Sequence, residues 1–261
     1  MIVLWPLLAT AARPSLPPID PWLEPAKRAA GRPIAPPPGA RGMQVEARAL
    51  GDRRYLEVLL GTAPGDRALP MVVFLHGRGD GPRIPTGDYR EGEPVRLILP
   101  YAPTPLGDGF SWFGVSILEG RDAALAEALA DAKGELVAFL EALRARHATR
   151  GLPILTGFSQ GGMLTLALAL EGRGRIAEAV PMAAWIPDGA LAGGPAVRIR
   201  GLHGEADEVV GFAPARALYG RLRARGVDAR LESFPDVPHR MSEAMKARHT
   251  ALLVDALGRL P

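Results

Sequence analysis

Residues 152–170 read LPILTGFSQGGMLTLALAL, and this stretch decides the fold. The run LPILT is typical of a short buried strand, and MLTLALAL is typical of a buried helix. Between them, GFSQG at residues 157–161 matches the pattern G-x-S-x-G. That pattern is typical of a sharp strand-to-helix turn that exposes the serine hydroxyl. The ordinary alternative is that Ser159 is a helix cap, whose hydroxyl bonds the first helical amides.

Strand-like and helix-like segments alternate around this stretch. QVEARAL and YLEVLLG, at residues 44–61, predict a leading antiparallel pair. Short apolar runs and amphipathic segments then follow one another, and such alternation predicts one α/β domain with a mostly parallel sheet and helices on both faces. Further strands are predicted at 71–76, 95–100, 152–156, 179–184, 197–203 and 229–234, and helices at 121–147, 160–172, 213–225 and 242–258.

The first 42 residues differ in composition from the rest of the chain. Residues 13–38 are rich in proline, which lacks an amide proton and fixes φ, so we expect an arm or linker over residues 1–42 and the domain over 43–261. The apolar start MIVLWPLLATAA ends in small residues, as an export signal does. It has no Lys or Arg before the apolar stretch, and Pro6 interrupts it. Both an exported and a cytoplasmic location stay open.

The composition excludes several classes of protein. The chain has 261 residues, of which 48% are hydrophobic, enough for one sizeable core. A net charge of +3 with scattered arginines does not indicate a nucleic-acid partner. The absence of cysteine excludes disulfides, thiolate zinc sites and a cysteine nucleophile. We find no metal or phosphate-loop motif and predict no cofactor and no metal. No apolar run approaches the roughly 20 residues that span a bilayer.

Polar residues come directly after several of the predicted strands. Parallel sheets bind ligands at the edge formed by the carboxyl ends of their strands, so these residues are candidates for a site. A serine hydroxyl needs a base within hydrogen-bond reach, and the base needs an acid that orients it. In the strand-turn-helix arrangement the chain order is serine, acid, histidine. Asp207 and His239 follow Ser159 in that order, each just after a predicted strand. We therefore predict Ser159 as nucleophile, Asp207 as acid and His239 as base.

Other acids and histidines compete for these roles. Asp188 follows the preceding strand, and Asp236 stands three residues before His239, so both remain rival acids. His249 falls inside a predicted helix, and His147 falls near the end of the longest one. Neither histidine is expected to reach the edge of the sheet.

A tetrahedral intermediate needs two amide donors that already point at its oxyanion. The amide of Gln160 lies at the predicted helix start, where the helix dipole also favours negative charge. The second amide is expected from the loop HGRGD after the strand at 71–75, and Arg78 is the candidate. We expect His76, at the start of that loop, to be structural. A plain glycine-rich turn is the alternative.

Four motifs in order, FLHGRGD, GFSQGG, HGEADEVV and PHRMS, resemble the α/β-hydrolase carboxylesterase/phospholipase family that includes the acyl-protein thioesterases. The resemblance covers about residues 70–250. It implies a serine ester hydrolase in which Ser159, Asp207 and His239 form the triad. It also implies that Arg78 and Gln160 supply the oxyanion hole.

The resemblance extends to the cleft. Ser111-Trp112-Phe113 is similar to a family segment that flanks the acyl-binding cleft, which implies that Trp112 and Phe113 bind substrate. The family commonly has leucine where Arg78 stands, so this long cation either selects acidic or phosphorylated substrates or extends into solvent. Residues 101–121 are too few for a large lid domain, which favours an open cleft and small or accessible esters.

The function that these features predict is hydrolysis of a small carboxylic ester or thioester through an acyl-enzyme. A peptidase or a polyester depolymerase on the same scaffold stays open, because fold alone does not settle the substrate. A non-catalytic exported binding module also stays open. The oligomeric state is not predicted.

Overall fold

The computed structural model describes residues 32–61, 67–85, 90, 93–191 and 193–261. The predicted apolar N-terminus and most of the proline-rich arm lie outside the described residues. The centre of the described part is a nine-stranded sheet in the order β1-β2-β3-β5-β4-β8-β9-β10-β11. Its strands are β1 Arg32–Ile34, β2 Met43–Leu50, β3 Arg53–Leu60, β4 Met71–Leu75, β5 Val95–Pro100, β8 Ile154–Phe158, β9 Glu178–Met182, β10 Arg198–Gly204 and β11 Ala229–Phe234.

The sheet is mostly parallel. In sheet order from β5 through β4, β8, β9 and β10 to β11, each strand runs parallel to the next. In sheet order from β1 through β2 and β3 to β5, each strand runs antiparallel to the next. The predicted leading antiparallel pair is β2 and β3. Strand β1 lies inside the segment that composition predicts as an arm, so part of that segment joins the edge of the sheet. The domain boundary at residue 43 stays a prediction.

In the described part of the chain, four helices cover the sheet: α1 Asp122–Arg146, α2 Gln160–Ala169, α3 Phe212–Ala224 and α4 Glu243–Leu257. Successive residues of β4 point to opposite faces, so Met71 and Val73 pack in the core with α1, α2 and α3, and Val72 packs with α4. Every residue of α2 is buried, which explains why its sequence is apolar on every side except at Gln160 and Thr165. The predicted α/β fold with helices on both faces is confirmed.

Residues 101–121, all of them described, contain no lid domain. They form a small hairpin of β6 Thr104–Leu106 and β7 Gly109–Ser111, followed by a 3₁₀ turn at Ile117–Glu119. The sequence pattern did not predict this hairpin, because its strands are only three residues long. Within the described residues, no helix is both long and apolar enough to cross a membrane.

Candidate active site

The turn between β8 and α2 is strained in the way that the glycine pattern predicts. Ser159 has φ 54° and ψ −118°, a conformation that L-residues rarely adopt. A Cβ at residue 157 would lie 2.5 Å from the carbonyl oxygen of Gly161, and one at residue 161 would lie 2.3 Å from that of Leu75. The Ser159 side chain makes no capping hydrogen bond to α2. The helix-cap alternative is therefore not what the structure contains.

The Ser159 hydroxyl instead faces a histidine and a carboxylate. Ser159 Oγ lies 2.9 Å from Nε2 of His239, and Nδ1 of His239 lies 2.8 Å from Oδ2 of Asp207. An ionised carboxylate only accepts hydrogen bonds, so Nδ1 carries the imidazole proton and Nε2 presents its lone pair to the serine hydroxyl. The three side chains come from β8, the loop after β10 and the loop after β11, which all end at one edge of the sheet.

Asp207 is held ionised by its surroundings. It is buried, and its Oδ1 accepts hydrogen bonds from the amides of Val209 at 3.0 Å and Val210 at 2.7 Å. Burial alone would raise the pKa of Asp207. Hydrogen bonds from His203, His239 and the Val210 amide outweigh burial and hold this pKa well below its usual range. His203 is a neighbour that the sequence analysis did not assign to the acid, with Nε2 at 3.5 Å from Oδ2.

The rival residues lie elsewhere. Asp188 pairs with Arg221 at 2.8 Å on the surface, and Asp236 is exposed in the loop before the base. His249 is buried beside Thr156, at 2.8 Å from its hydroxyl. His147 ends α1 and lies 3.2 Å from the hydroxyl of Tyr55. Within the described residues, Ser159 Oγ is hydrogen-bonded to His239 and to none of these four side chains.

The two predicted oxyanion donors, the amides of Gln160 and Arg78, belong to the two chain segments next to the serine. The Gln160 amide is in the first turn of α2, where amides have no partner inside the helix. The loop after β4 lies directly against the serine, since a Cβ at Gly77 would be 3.5 Å from Cβ of Ser159. In the described part of the chain, the next amide along that loop, that of Arg78, makes no hydrogen bond. The Arg78 side chain is exposed.

His76 has a structural place, as expected. Its Nδ1 donates to the carbonyl of Gly77 at 2.7 Å and its Nε2 accepts from the amide of Ala102 at 3.1 Å. Burial lowers the pKa of His76, so the ring is neutral.

Trp112 and Phe113, the predicted substrate-binding residues, are 6% and 7% exposed, so most of each side chain is in the core. The indole Nε1 of Trp112 donates to the carbonyl of His76 at 2.8 Å.

Sequence reasoning assigned Gln160 only its main-chain amide. In the structure its side chain is also buried and holds residues 111–113 through hydrogen bonds. The signal in the sequence was a long polar side chain at the start of a mostly apolar helix. Among the described residues, no group of three or more His, Cys, Asp or Glu side chains is arranged to hold a metal ion.

Comparison with known proteins shows the family of this chain. The sequence profile of the Phospholipase/Carboxylesterase family matches residues 60–251. The chain belongs to this family. Acyl-protein thioesterase 1 of Cryptococcus neoformans is 29% identical over 141 residues, 48% of this chain and 58% of that relative. The chain therefore spans less than two thirds of the length of the curated relative that it matches.

Solved structures of an esterase and of an acyl-protein thioesterase have a similar fold. The crystal structure of esterase PE8 superposes with a TM-score of 0.62 and 25% identity, over 76% of this chain and 97% of that one. Acyl-protein thioesterase 2 of Zea mays superposes with a TM-score of 0.55 over 77% of this chain and 99% of that one. At 20% identity, the second likeness supports the fold alone.

Proposed function

We propose that this protein is a serine hydrolase that cleaves small carboxylic esters or thioesters through an acyl-enzyme. The observation that carries the proposal is the hydrogen-bonded chain from Ser159 through His239 to Asp207. Membership of the Phospholipase/Carboxylesterase family supports ester cleavage, and the similarity to an acyl-protein thioesterase supports thioesters as well.

In the proposed reaction, Ser159 Oγ attacks the carbonyl carbon as its proton passes to Nε2 of His239. Asp207, with its low pKa, stays ionised and stabilises the imidazolium that forms. The amides of Gln160 and Arg78 receive the oxyanion. The imidazolium then protonates the leaving alcohol or thiol, and the bond between the carbonyl carbon and that group breaks. A water that gives its proton to the same nitrogen hydrolyses the acyl-enzyme and restores the serine.

We infer that Trp112 and Phe113 support the substrate cleft from its core side and contact the substrate over only a small part of their surface. Their burial supports this assignment, as does the hydrogen bond from Trp112 to the loop beside the serine. Residues 101–121 form only the small hairpin and one 3₁₀ turn, which supports an open cleft and accessible esters.

The test is burst kinetics with p-nitrophenyl butyrate, with labelling by a serine-directed phosphonate. The wild type is expected to give a burst of one product per enzyme and to take up one label. Ser159→Ala is expected to lose both, with turnover lower by at least about 10,000-fold. Ser233→Ala, an exposed serine in β11, is the matched control and should behave as the wild type.

A wild type that shows neither burst nor label would overturn the proposal and favour a non-catalytic binding module. Peptide p-nitroanilides and a polyester film belong in the same assay. Faster turnover of either than of the butyrate ester would reassign the substrate to a peptide or a polymer.

A further inference from the structure

The side chain of Gln160 makes contacts that a main-chain oxyanion donor does not need. It is 3% exposed, its Oε1 accepts from the amide of Trp112 at 2.9 Å, and its Nε2 donates to the carbonyl of Phe113 at 2.9 Å. An amide N–H can only donate and a carbonyl can only accept, so this orientation of the side-chain amide follows from its partners.

The hydroxyl of Ser111 also lies between the carbonyl of Phe113 and the side chain of Gln160. This hydroxyl has one proton, and the shorter of its two contacts, 2.7 Å to the carbonyl of Phe113, takes it. Its oxygen lies 3.2 Å from Oε1 of Gln160. The polar groups of residues 111–113 that face the helix are therefore satisfied by Gln160 and by each other, without solvent.

The same segment holds the loop after β4 on its other side. The amide of Gly79 donates to the carbonyl of Phe110, and the amide of Phe110 donates to the carbonyl of Asp80, both at 2.8 Å. The indole of Trp112 donates to the carbonyl of His76 at 2.8 Å. Residues 110–112 therefore form hydrogen bonds with the loop both before Arg78, at His76, and after it, at Gly79 and Asp80.

The approach of the two segments is also fixed sterically. A Cβ at Gly109 would lie 2.3 Å from the carbonyl oxygen of Gly79. The loop and the hairpin strand are in backbone contact there, so a shift of residues 110–113 carries the loop with it.

From these contacts we propose that the Gln160 side chain is a positioning residue that sets the alignment of the two oxyanion donors. Its main chain supplies one amide, and its side chain holds residues 111–113, which hold the loop that supplies the Arg78 amide. This inference rests on the proposed function. It adds that the second donor is aligned through the side chain of the first, across 82 residues of sequence.

The test uses Gln160→Met, which keeps the main-chain amide and the side-chain length but loses both hydrogen bonds. Thr165→Val is the matched control, since Thr165 is a buried polar residue of the same helix whose hydroxyl donates to the carbonyl of Gly161. Active sites are titrated with the phosphonate, so that kcat refers to folded enzyme only. An alkyl boronic acid, which forms a tetrahedral adduct with the serine, measures binding of a transition-state analogue.

Loss of an oxyanion donor costs about 100- to 1000-fold, so misalignment of one is expected to lower kcat of Gln160→Met by about 10- to 100-fold. KM should change by less than about threefold, because the donors bind the oxyanion better than the ground-state carbonyl. Boronic acid affinity should fall by the same factor as kcat/KM. Thr165→Val should keep kcat within about threefold of the wild type. A purely structural role would lower only the number of titrated sites.

Gln160→Glu tests whether the hydrogen bond to the carbonyl of Phe113 can be restored by a side chain of similar shape. Its carboxylate faces the carbonyl of Phe113 and repels it, but a protonated carboxyl restores the donor, and burial raises a carboxyl pKa. The ratio of its kcat to that of the wild type is therefore expected to rise as the pH falls. A ratio independent of pH contradicts the hydrogen-bond reasoning.

The outcomes separate the two proposals. A wild type that turns over the ester and a Gln160→Met enzyme with unchanged kcat per titrated site would overturn this inference alone. A wild type with no burst would overturn the proposed function, and this inference with it. If Gln160→Met yields no folded protein, Trp112→Phe is the second test of the inference. This variant leaves Gln160 intact but removes the hydrogen bond to the carbonyl of His76, so its kcat is expected to fall. An unchanged kcat there also overturns the inference.

Discussion

His249 is expected to make the folded state sensitive to mild acid. It is buried in α4, and its Nε2 lies 2.8 Å from the hydroxyl of Thr156. That hydroxyl donates its one proton to the carbonyl of Val180 at 2.6 Å, so its oxygen accepts a hydrogen bond from Nε2 of His249. The ring of Phe74 packs edge-on against the imidazole of His249, at 5.9 Å between centroids. Burial lowers the pKa of His249 to about 3.

The magnitude follows from linkage between protonation and unfolding. The pKa of the unfolded chain is that of free histidine, 6.5, and lies above the folded value. Between these two pKa values the unfolded chain binds a proton that the folded chain does not, so stability falls as the pH falls below 6.5. At pH 5.0 this lowers the free energy of unfolding by about 2 kcal/mol, and at pH 7.5 by less than about 0.1 kcal/mol. The difference depends mainly on the unfolded pKa, because pH 5.0 is well above the folded one.

The assay is urea unfolding of the wild type and His249→Gln at pH 7.5 and pH 5.0. Glutamine places an amide donor near the position of Nε2 and does not titrate. Other groups that titrate in this range contribute equally to both proteins, so the difference between the two pH effects isolates His249. We expect the wild type to lose about 2 kcal/mol more than His249→Gln. Losses that agree within about 0.5 kcal/mol would refute the reasoning.

Three further changes test the site. Gly161→Ala brings a Cβ to 2.3 Å from the carbonyl of Leu75 and should slow phosphonate labelling by at least about 100-fold, whereas Gly134→Ala, in open space in α1, should not change it. Asp207→Asn should lower kcat by on the order of 10,000-fold, because Oδ1 stays on its two amides and the new NH₂ forces the base into the wrong tautomer; a loss below tenfold would contradict this. Arg78→Leu keeps the main-chain amide, so turnover of a neutral ester should stay within about threefold, while an ester with a carboxylate should lose up to about fivefold. A large loss of turnover with the neutral ester would show that the Arg78 side chain also contributes to the reaction of uncharged substrates.

The elements of the fold are predictable where their patterns are long. The seven buried positions of α1 recur at helical spacing, and its observed bounds, Asp122–Arg146, differ by one residue at each end from the pattern. Strands β4, β5 and β8 are short apolar runs because they are buried on nearly every residue. Strand β1 and the hairpin of β6 and β7 escaped prediction, since three residues are too few to show a period.

The site is predictable in its residue types more than in its contacts. The glycines around Ser159 are needed by a local backbone turn, so five consecutive letters indicate the turn. The burial of Trp112 and the second histidine near Asp207 depend on segments that approach from elsewhere in the chain. The hydrogen bonds of the Gln160 side chain join residues 47 and 48 positions apart, and no pattern within one element contains them.

The class of fold, the strained turn at residues 157–161 and the order of serine, acid and histidine along the chain can all be read from the amino-acid sequence. These features are local, because period, turn geometry and order are properties of neighbouring residues or of strand ends. Only the tertiary structure decided which side chains meet. His239 reaches Ser159 across 80 residues, and it does so because strand order and the path of the loop after β11 bring it there. Distances of 2.8–2.9 Å are set by packing of the whole sheet, which no single stretch of sequence encodes.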